Sequence, residues 1–165
     1  MSCLYRALSY FHQQYNTDQM RAMLCRYLGS NPELSMGKAS QVIPWETGQS
    51  LQQYLHRMSN RSSWGGAIEI KAYADLFNTN VKVYSMPNRR AIEFLTANNP
   101  ENCKWVAISW TGGHYEPIRS QQEHQTMERA ISTPPRANQR QRGVPPQARH
   151  NNRMNPRYRH RYRRH

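Results

Sequence analysis

The distribution of apolar residues limits this chain to one modest core near its N-terminus. Side chains that could fill a core lie mostly upstream of Ile118, and beyond this residue they become sparse. A stretch of about 120 residues buries a single small core. A stretch with few apolar side chains cannot offset the entropy of ordering its backbone. We therefore expect one folded domain over residues 1–119 and a disordered, Arg-rich tail over residues 120–165.

Charge divides the chain near the same point. Through Glu128 there are twelve Lys and Arg against ten Asp and Glu, whereas from Arg129 onward there are eleven Arg and no acid. Most of the net charge of +13 therefore belongs to the tail, and the first stretch has the charge balance of an ordinary globular domain.

The last residues of the tail interleave arginines with tyrosines and histidine. This pattern favours phosphate contacts with base stacking in RNA or single-stranded DNA. It is equally typical of a nuclear-import signal or of nonspecific attraction to polyanions. We expect weak binding to nucleic acid or an import receptor, and the candidate residues are Arg157, Arg159, Arg161, Arg163 and Arg164.

Cysteine usage and hydropathy exclude several classes of protein. Cys3, Cys25 and Cys103 are an odd number without Cys-x-x-Cys spacing, which disfavours a disulfide framework and a structural metal site. No apolar run approaches the roughly 18 residues of a membrane span, and Arg6 and His12 interrupt any signal sequence. We expect an intracellular protein, cytoplasmic or nuclear, without membrane association.

Apolar spacing predicts helices first and strands later, which is typical of an α+β domain. Helical periodicity begins at Leu4, Met20, Leu51 and Ala67. Thr17 or Asp18 and Thr47 are the expected helix caps, and Asn31 with Pro32 is expected to begin a short helix. Strands are expected at Val81 to Tyr84, Trp105 to Trp110 and His114 to Ile118.

The pair Gly112-Gly113 predicts a hairpin turn between the last two strands. The expected sheet is small and mostly antiparallel.

Cys3 lies where the first predicted helix begins, which makes it a candidate nucleophile. A thiol attacks as its thiolate, and a helix N-terminus and a neighbouring imidazole both stabilise that anion. A lone cysteine is more often an ordinary buried residue. Its assignment as a nucleophile therefore depends on a partner base.

His114 is the candidate base. It follows Gly112 and Gly113, which permit close backbone approach, and Glu116 points to the same strand face because residues i and i+2 do so. Glu116 is therefore a candidate for orienting the imidazole, as the third member of a catalytic triad does. The alternatives are a strand histidine satisfied by a neighbour, and a surface charge at Glu116.

Three blocks of this sequence resemble the ovarian tumour (OTU) family of cysteine proteases, which remove ubiquitin or its relatives from proteins. The blocks are Cys3-Leu4-Tyr5-Arg6-Ala7, Trp64-Gly65-Gly66 with the helix that follows it, and Gly113-His114-Tyr115. The resemblance extends over about Ser2 to Ile118. It implies a papain-type cysteine protease fold, with helices around a small sheet, and no metal or organic cofactor.

The resemblance also implies roles for individual residues. Catalysis would rest on Cys3, His114 and Glu116, with ubiquitin or ubiquitin-like conjugates as substrates. Backbone N–H groups of Ser2 and Cys3 would form the oxyanion hole. A narrow groove for a Gly-Gly tail would run along Trp64, Gly65, Gly66, Gly113 and Tyr115.

Two features depart from the family pattern. The family's Asp-Gly-Asn ahead of the cysteine is absent, because the chain starts Met1-Ser2, and Glu116 stands where many members have Asn or Asp. We interpret the chain as an N-terminally truncated fragment, an enzyme that lacks the family's segment before its nucleophile, or an inactive relative. Packing is the alternative role for Trp64, and Glu69 is expected to hold its helix or a neighbouring loop.

Three functions are compatible with these residues. The first is a thiol-dependent deubiquitinase that hydrolyses isopeptide or peptide bonds at the C-terminus of ubiquitin or a ubiquitin-like protein. The second is a catalytically inactive OTU-fold protein that binds ubiquitin or another partner and anchors itself to nucleic acid by its tail. The third is an RNA-binding protein whose folded domain is incidental, which the three ordered blocks disfavour.

Overall fold

The computed structural model describes residues 2–133. Its helices are α1 (Cys3–Ser9), α2 (Thr17–Gly29), α3 (Ala39–Thr47), α4 (Leu51–Ser59), α5 (Ala67–Leu76) and α6 (Gln121–Ser132). Its strands are β1 (Glu33–Leu34), β2 (Gly37–Lys38), β3 (Thr79–Ser85), β4 (Arg90–Phe94), β5 (Lys104–Trp110) and β6 (Tyr115–Pro117). Within residues 2–133, no helix has the length and apolar character needed to cross a membrane.

Four strands form the main sheet in the order β4-β3-β5-β6. β3 and β5 run parallel at its centre, with Val81 opposite Val106, and antiparallel pairings join β4 to β3 and β6 to β5. Two of the three pairings are antiparallel, and the three predicted strands correspond to β3, β5 and β6. β4 was not predicted, and the small β1–β2 ribbon lies where a short helix was expected.

Helices α1, α2 and α5 supply most of the helical side chains of the main core. Alternate side chains of a strand point to opposite faces of the sheet, so only one set of β3 residues faces the main core. Val81 and Val83 belong to this core, whereas Tyr84 belongs to a second cluster. Representative buried members of the main core are Leu4, Leu8, Met20, Leu24, Ile70, Val81, Val83, Val106 and Ile108.

Helix α6 packs on the second cluster and corrects the expected boundary of the folded domain. Tyr84, Ala107 and Ile118 are buried there, with Met127 and Ile131 of α6 packed against them. Tyr84 Oη also donates to a carboxylate oxygen of Glu128 at 2.7 Å. The prediction of disorder from residue 120 is therefore wrong over Gln121–Ser132, and the remainder of the predicted tail, from residue 134, lies outside the described residues.

Helix capping differs from the predictions by short shifts along the chain. Asn16 caps α2 by accepting from Gln19 N at 2.9 Å, and Ser50 caps α4 by accepting from Gln53 N at 3.2 Å. The Thr47 hydroxyl instead donates to Ile43 O at 2.6 Å, inside α3. Hydroxyl and amide side chains bond to either side of a helix boundary, and sequence spacing does not choose between the two.

The segment after Asn31 forms a strand and not the expected helix. Asn31 adopts φ 55°, a left-handed conformation that ends α2, and its Oδ1 accepts from Ser40 N at 2.7 Å. This bond ties the end of α2 to the start of α3 across the β1–β2 ribbon. The capping chemistry of Asn31 therefore acts on α3, nine residues further along the chain.

Candidate active site

Cys3 is the first residue of α1, and the rest of the helix holds it in place. The helix buries four side chains: Leu4, Tyr5, Ala7 and Leu8. The Ser2 carbonyl accepts the first helical bond from Arg6 N at 2.9 Å, and no side chain caps the helix. The N–H groups of the first turn therefore lack an intrahelical acceptor, which makes the helix start electropositive beside the half-buried Cys3 thiol.

His114 enters the site through a tight turn between β5 and β6. Thr111 N donates to His114 O at 3.1 Å, and this bond closes a hairpin with Gly112 and Gly113 as its loop. Gly112 has φ 102°, a conformation that favours glycine. The predicted hairpin is confirmed, and it places the imidazole immediately before β6.

Glu116 binds the imidazole of His114. The distance from His114 Nε2 to Glu116 Oε1 is 2.6 Å, and both side chains are half-exposed. An imidazole that donates its Nε2–H to a carboxylate presents the lone pair of Nδ1 on its other side. The geometry expected from the i, i+2 spacing is therefore present, and Nδ1 is the nitrogen available to act as a base.

Two arginines that were not predicted as site residues flank this carboxylate. Arg6 Nη2 lies 3.7 Å from Glu116 Oε1 and 3.4 Å from His114 Nε2. Arg119 Nη2 lies 3.8 Å from Glu116 Oε2. The signal for Arg6 was present in the sequence, because a residue at i+3 from Cys3 lies on the same face of a helix.

A cavity of about 310 Å³ joins the helix start to the hairpin. Its lining residues are Ser2, Cys3, Arg6, Thr17 and His114. The structure therefore brings the predicted nucleophile and the predicted base to one cavity, although they are 111 positions apart in sequence. Thr17, from the first turn of α2, also lines the cavity, although it was predicted only as a helix cap.

Tyr115, the residue after His114, is partly buried against the main core. Burial is the main cause that raises the pKa of Tyr115, and the negative charges of a Cys3 thiolate and of the Glu69 carboxylate raise it further. The phenol therefore stays neutral at physiological pH. Gly113, in contrast, has open space on the side where a Cβ would lie. Both residues flank His114, and their role in a substrate groove remains a prediction.

The turn Trp64-Gly65-Gly66 lies against α1, because Gly65 closely approaches the side chains of Leu4 and Tyr5. Gly66 N donates to Glu69 Oε2 at 2.8 Å, and Tyr54 Oη donates to Glu69 Oε1 at 2.5 Å, so Glu69 anchors the turn to α4 and α5. Burial raises the pKa of Glu69, although these two hydrogen bonds act in the opposite direction. The expected structural role of Glu69 is present in the fold. The half-exposed Trp64 and its two glycines do not line the cavity, and their part in a groove remains a prediction.

Replacing Gly65 by alanine is expected to destabilise the protein. The new Cβ would lie 2.8 Å from Leu4 Cδ2 and 3.1 Å from Tyr5 Oη, and both side chains are buried in the core. Overpacking of this kind lowers the free energy of unfolding by about 1–3 kcal/mol. Urea unfolding measures the change, and Gly113→Ala is the matched control because no atom lies within 4 Å of its added Cβ. Equal stability of the two variants would contradict the close approach.

Other features of the described residues do not contribute to this site. A larger cavity, of about 410 Å³, lies between α6 and the sheet beside Tyr84, Trp105 and His124. Within residues 2–133, no three His, Cys, Asp or Glu side chains form a group that could hold a metal ion. The tail residues Arg157, Arg159, Arg161, Arg163 and Arg164 lie outside the described residues.

A cysteine at a helix start, opposite an imidazole held by a carboxylate, is the arrangement of a thiol protease site. A family model for OTU-like cysteine proteases matches residues 2–115. Because this match covers more than half of the chain, the chain belongs to the OTU-like cysteine protease family.

Two curated proteins are similar to most of this chain. Mouse OTU domain-containing protein 4 is 30% identical over 117 residues, which are 70% of this chain and 10% of that protein. The mouse UDP-N-acetylglucosamine transferase subunit ALG13 is 27% identical over 127 residues, 76% of this chain and 10% of that protein. The chain thus spans 10% of the length of these curated relatives.

A solved OTU domain in complex with ubiquitin has the same fold. It superposes with a TM-score of 0.59 at 20% identity, and the match covers 79% of this chain and 77% of the solved chain. The predicted α+β fold of OTU type is therefore confirmed.

Proposed function

We propose that this chain is a thiol-dependent deubiquitinase in which Cys3 is the nucleophile, His114 the general base and Glu116 the residue that orients His114. The supporting observation is that Cys3 and His114 line one cavity while Glu116 holds His114 Nε2 at 2.6 Å. Membership of the OTU-like family and the ubiquitin complex of a protein with the same fold support ubiquitin conjugates as substrates.

The proposed reaction is acyl transfer through a thioester. The Cys3 thiolate forms an S–C bond to the carbonyl carbon at the C-terminus of ubiquitin, and the π electrons move to the carbonyl oxygen. The backbone N–H groups of Ser2 and Cys3 are the proposed donors to this oxyanion. When the carbonyl re-forms, the C–N bond breaks and the leaving amine takes a proton from the imidazolium of His114.

Hydrolysis of the thioester restores the enzyme. Water attacks the carbonyl carbon while its proton passes to His114 Nδ1, and the S–C bond breaks to return the thiolate. Glu116 stabilises the imidazolium that forms in this step. These steps use only side chains and backbone groups at the start of α1 and in the β5–β6 hairpin.

The direct test is labelling of the full chain by ubiquitin that carries a C-terminal electrophile. Peptide mapping by mass spectrometry is expected to place the adduct on Cys3, with Cys25 and Cys103 as internal controls. Burial raises the pKa of Cys25 to about 11, so its thiol is protonated at pH 7.5 and reacts slowly. An adduct on Cys25 or Cys103, or no adduct, would contradict the proposal. A chain that binds ubiquitin but is not labelled would instead support the inactive ubiquitin-binding alternative.

Replacing Glu116 by glutamine is expected to lower kcat/KM without unfolding the protein. The amide still fits beside His114, but it removes the charge that stabilises the imidazolium. A hydrogen bond to a charged group contributes about 1.5–3 kcal/mol, which corresponds to a loss of roughly 10- to 100-fold. Hydrolysis of a fluorogenic ubiquitin substrate measures the change. Arg119→Gln is the control, because Arg119 reaches only the other carboxylate oxygen, at 3.8 Å; an equal loss in both variants would argue against the orienting role.

We also propose that the Arg-rich tail binds polyanions, because Arg157, Arg159, Arg161, Arg163 and Arg164 alternate with aromatic residues. A fluorescent single-stranded RNA is expected to bind the full chain more tightly than a chain ending at residue 133. For each tenfold rise in salt concentration, the logarithm of the binding constant is expected to fall by about 0.7 times the number of phosphates that the tail neutralises. Equal affinity of the two chains would contradict this role.

A further inference from the structure

Arg21 is a buried cation one helical turn beyond Thr17, and its contacts lead to the residue that precedes the nucleophile. Arg21 is 3% exposed. Its guanidinium donates to three backbone carbonyls at the end of α4 and in the loop after it, those of Met58 at 2.8 Å, Ser63 at 3.1 Å and Arg61 at 3.3 Å.

The same guanidinium reaches α1. Arg21 Nη2 donates to Ser2 Oγ at 3.1 Å, and Ser2 Oγ donates onward to Arg61 O at 3.2 Å. The guanidinium carbon also lies 3.9 Å from the centre of the Tyr5 ring, so it stacks on the buried face of α1. Arg21 therefore joins three pieces of chain that are distant in sequence: the α4–α5 loop, the residue before Cys3, and α1 itself.

These contacts explain how the buried charge of Arg21 is tolerated and which parts of the chain it joins. A buried guanidinium is costly unless hydrogen bonds replace its water, and here the acceptors are mostly backbone carbonyls, which cannot leave without moving the chain. The Ser2 side chain occupies the N-cap position of α1, where serine commonly accepts from the first turn. It makes no such bond, because its hydroxyl is engaged by Arg21 and the loop.

We propose that Arg21 is a positioning residue that fixes the backbone of Ser2 and Cys3 in the orientation that acylation requires. By binding Ser2 Oγ and the α4–α5 loop together, it holds the peptide unit between Ser2 and Cys3 and keeps the serine hydroxyl away from the N–H groups of the first turn. The proposal rests on the proposed function, because it concerns the donors to the oxyanion in that reaction.

The kinetic test compares Arg21→Lys and Ser2→Ala with the wild-type chain. Lysine keeps the charge but cannot reach several carbonyls and Ser2 at once, and Ser2→Ala removes one link alone. We expect kcat for a fluorogenic ubiquitin substrate to fall about 10- to 100-fold, as for a misplaced catalytic group, with KM nearly unchanged. Ser2→Thr keeps the hydroxyl and is expected to lose less than Ser2→Ala. Arg26→Lys is the matched control, because Arg26 is exposed on the same helix.

A second measurement separates positioning from general damage. Alkylation of Cys3 by iodoacetamide needs the thiolate but no oxyanion hole, so its rate is expected to stay within about twofold of wild type while kcat falls. Amide NMR resonances of Cys3 and Ser63 are expected to shift together in Arg21→Lys and Ser2→Ala, and to remain in place in Arg26→Lys.

The outcomes of the two measurements are distinguishable. Absence of turnover in the wild-type chain would overturn the proposed function, and the Cys3 and Ser63 amide shifts would still test the link made by Arg21. A wild-type kcat in folded Arg21→Lys and Ser2→Ala chains, or a Cys3 amide resonance that neither substitution moves, would overturn the positioning role. Parallel losses of kcat and of the alkylation rate would also overturn it, since they would mean that the thiolate itself had been lost.

Discussion

Cys3→Ala is expected to abolish hydrolysis of ubiquitin conjugates while leaving the domain folded and able to bind ubiquitin. No other described thiol can replace Cys3. Burial raises the pKa of Cys25 to about 11, and the Cys103 thiol donates to backbone carbonyls of Asn98 and Asn99 at 3.2 and 3.0 Å, with no contact to the cavity of the site. Because the acyl-enzyme forms on the Cys3 sulfur, the Cys3→Ala variant cannot form it at all.

The measurement is hydrolysis of a fluorogenic ubiquitin substrate, with binding of ubiquitin by the same variant measured separately by calorimetry. The expected rate equals that of the substrate without enzyme. Cys25→Ala and Cys103→Ser are the controls, and both are expected to keep kcat near the wild-type value. Residual hydrolysis by Cys3→Ala, or a loss of activity only in Cys25→Ala, would mean that the nucleophile lies elsewhere.

His114→Ala is expected to lower kcat by about 10²- to 10⁴-fold, the usual contribution of a positioned general base. Without the imidazole, the thiolate loses its counterion and the leaving amine loses its proton donor. KM is expected to change little, because the side chain is half-exposed at the edge of the cavity and its removal leaves α1 in place.

Two readouts check this result. Steady-state kinetics give kcat and KM, and iodoacetamide alkylation at pH 7 reports the fraction of reactive thiolate, which is expected to fall with kcat. His56→Ala is the matched control, because His56 is an exposed histidine near the end of α4. Wild-type alkylation and kcat in His114→Ala would overturn the assignment of His114 as the base.

The local parts of the site could be predicted from sequence because local periodicity controls them. The stripe from Leu4 predicts a helix beginning at Cys3, and α1 begins there. The alternation of strand residues places His114 and Glu116 on one face, and the two side chains are in contact. Neither inference needs knowledge of the rest of the chain.

Helix α6 is a segment whose amino-acid composition wrongly predicted disorder. The segment around it is rich in Gln and Arg and reads as disordered, yet Met127 and Ile131 lie four residues apart and therefore on one helical face. They pack against Tyr84, Ala107 and Ile118. Two apolar residues are too few for a periodic signal, and their stabilising effect depends on a sheet face that is assembled from residues elsewhere in the chain.

Arg6 and Arg21 show the same limit within the site. Spacing places Arg6 on the same helix face as Cys3, but only the fold shows that Arg6 lines the cavity. Neither spacing nor composition distinguishes Arg21 from Arg26 on the exposed side of α2. Only the fold shows that Arg21 is buried against three carbonyls and Ser2.

Local patterns therefore predict the helix that begins at Cys3, the hairpin that presents His114 and the carboxylate beside it, because each depends on a backbone period or a turn of a few residues. Local patterns do not predict that the two ends of the site share one cavity, that α6 is folded, or that a buried arginine joins the α4–α5 loop to Ser2. These features depend on contacts between residues tens of positions apart, and such contacts form only when the packing of helices on the sheet has brought them together.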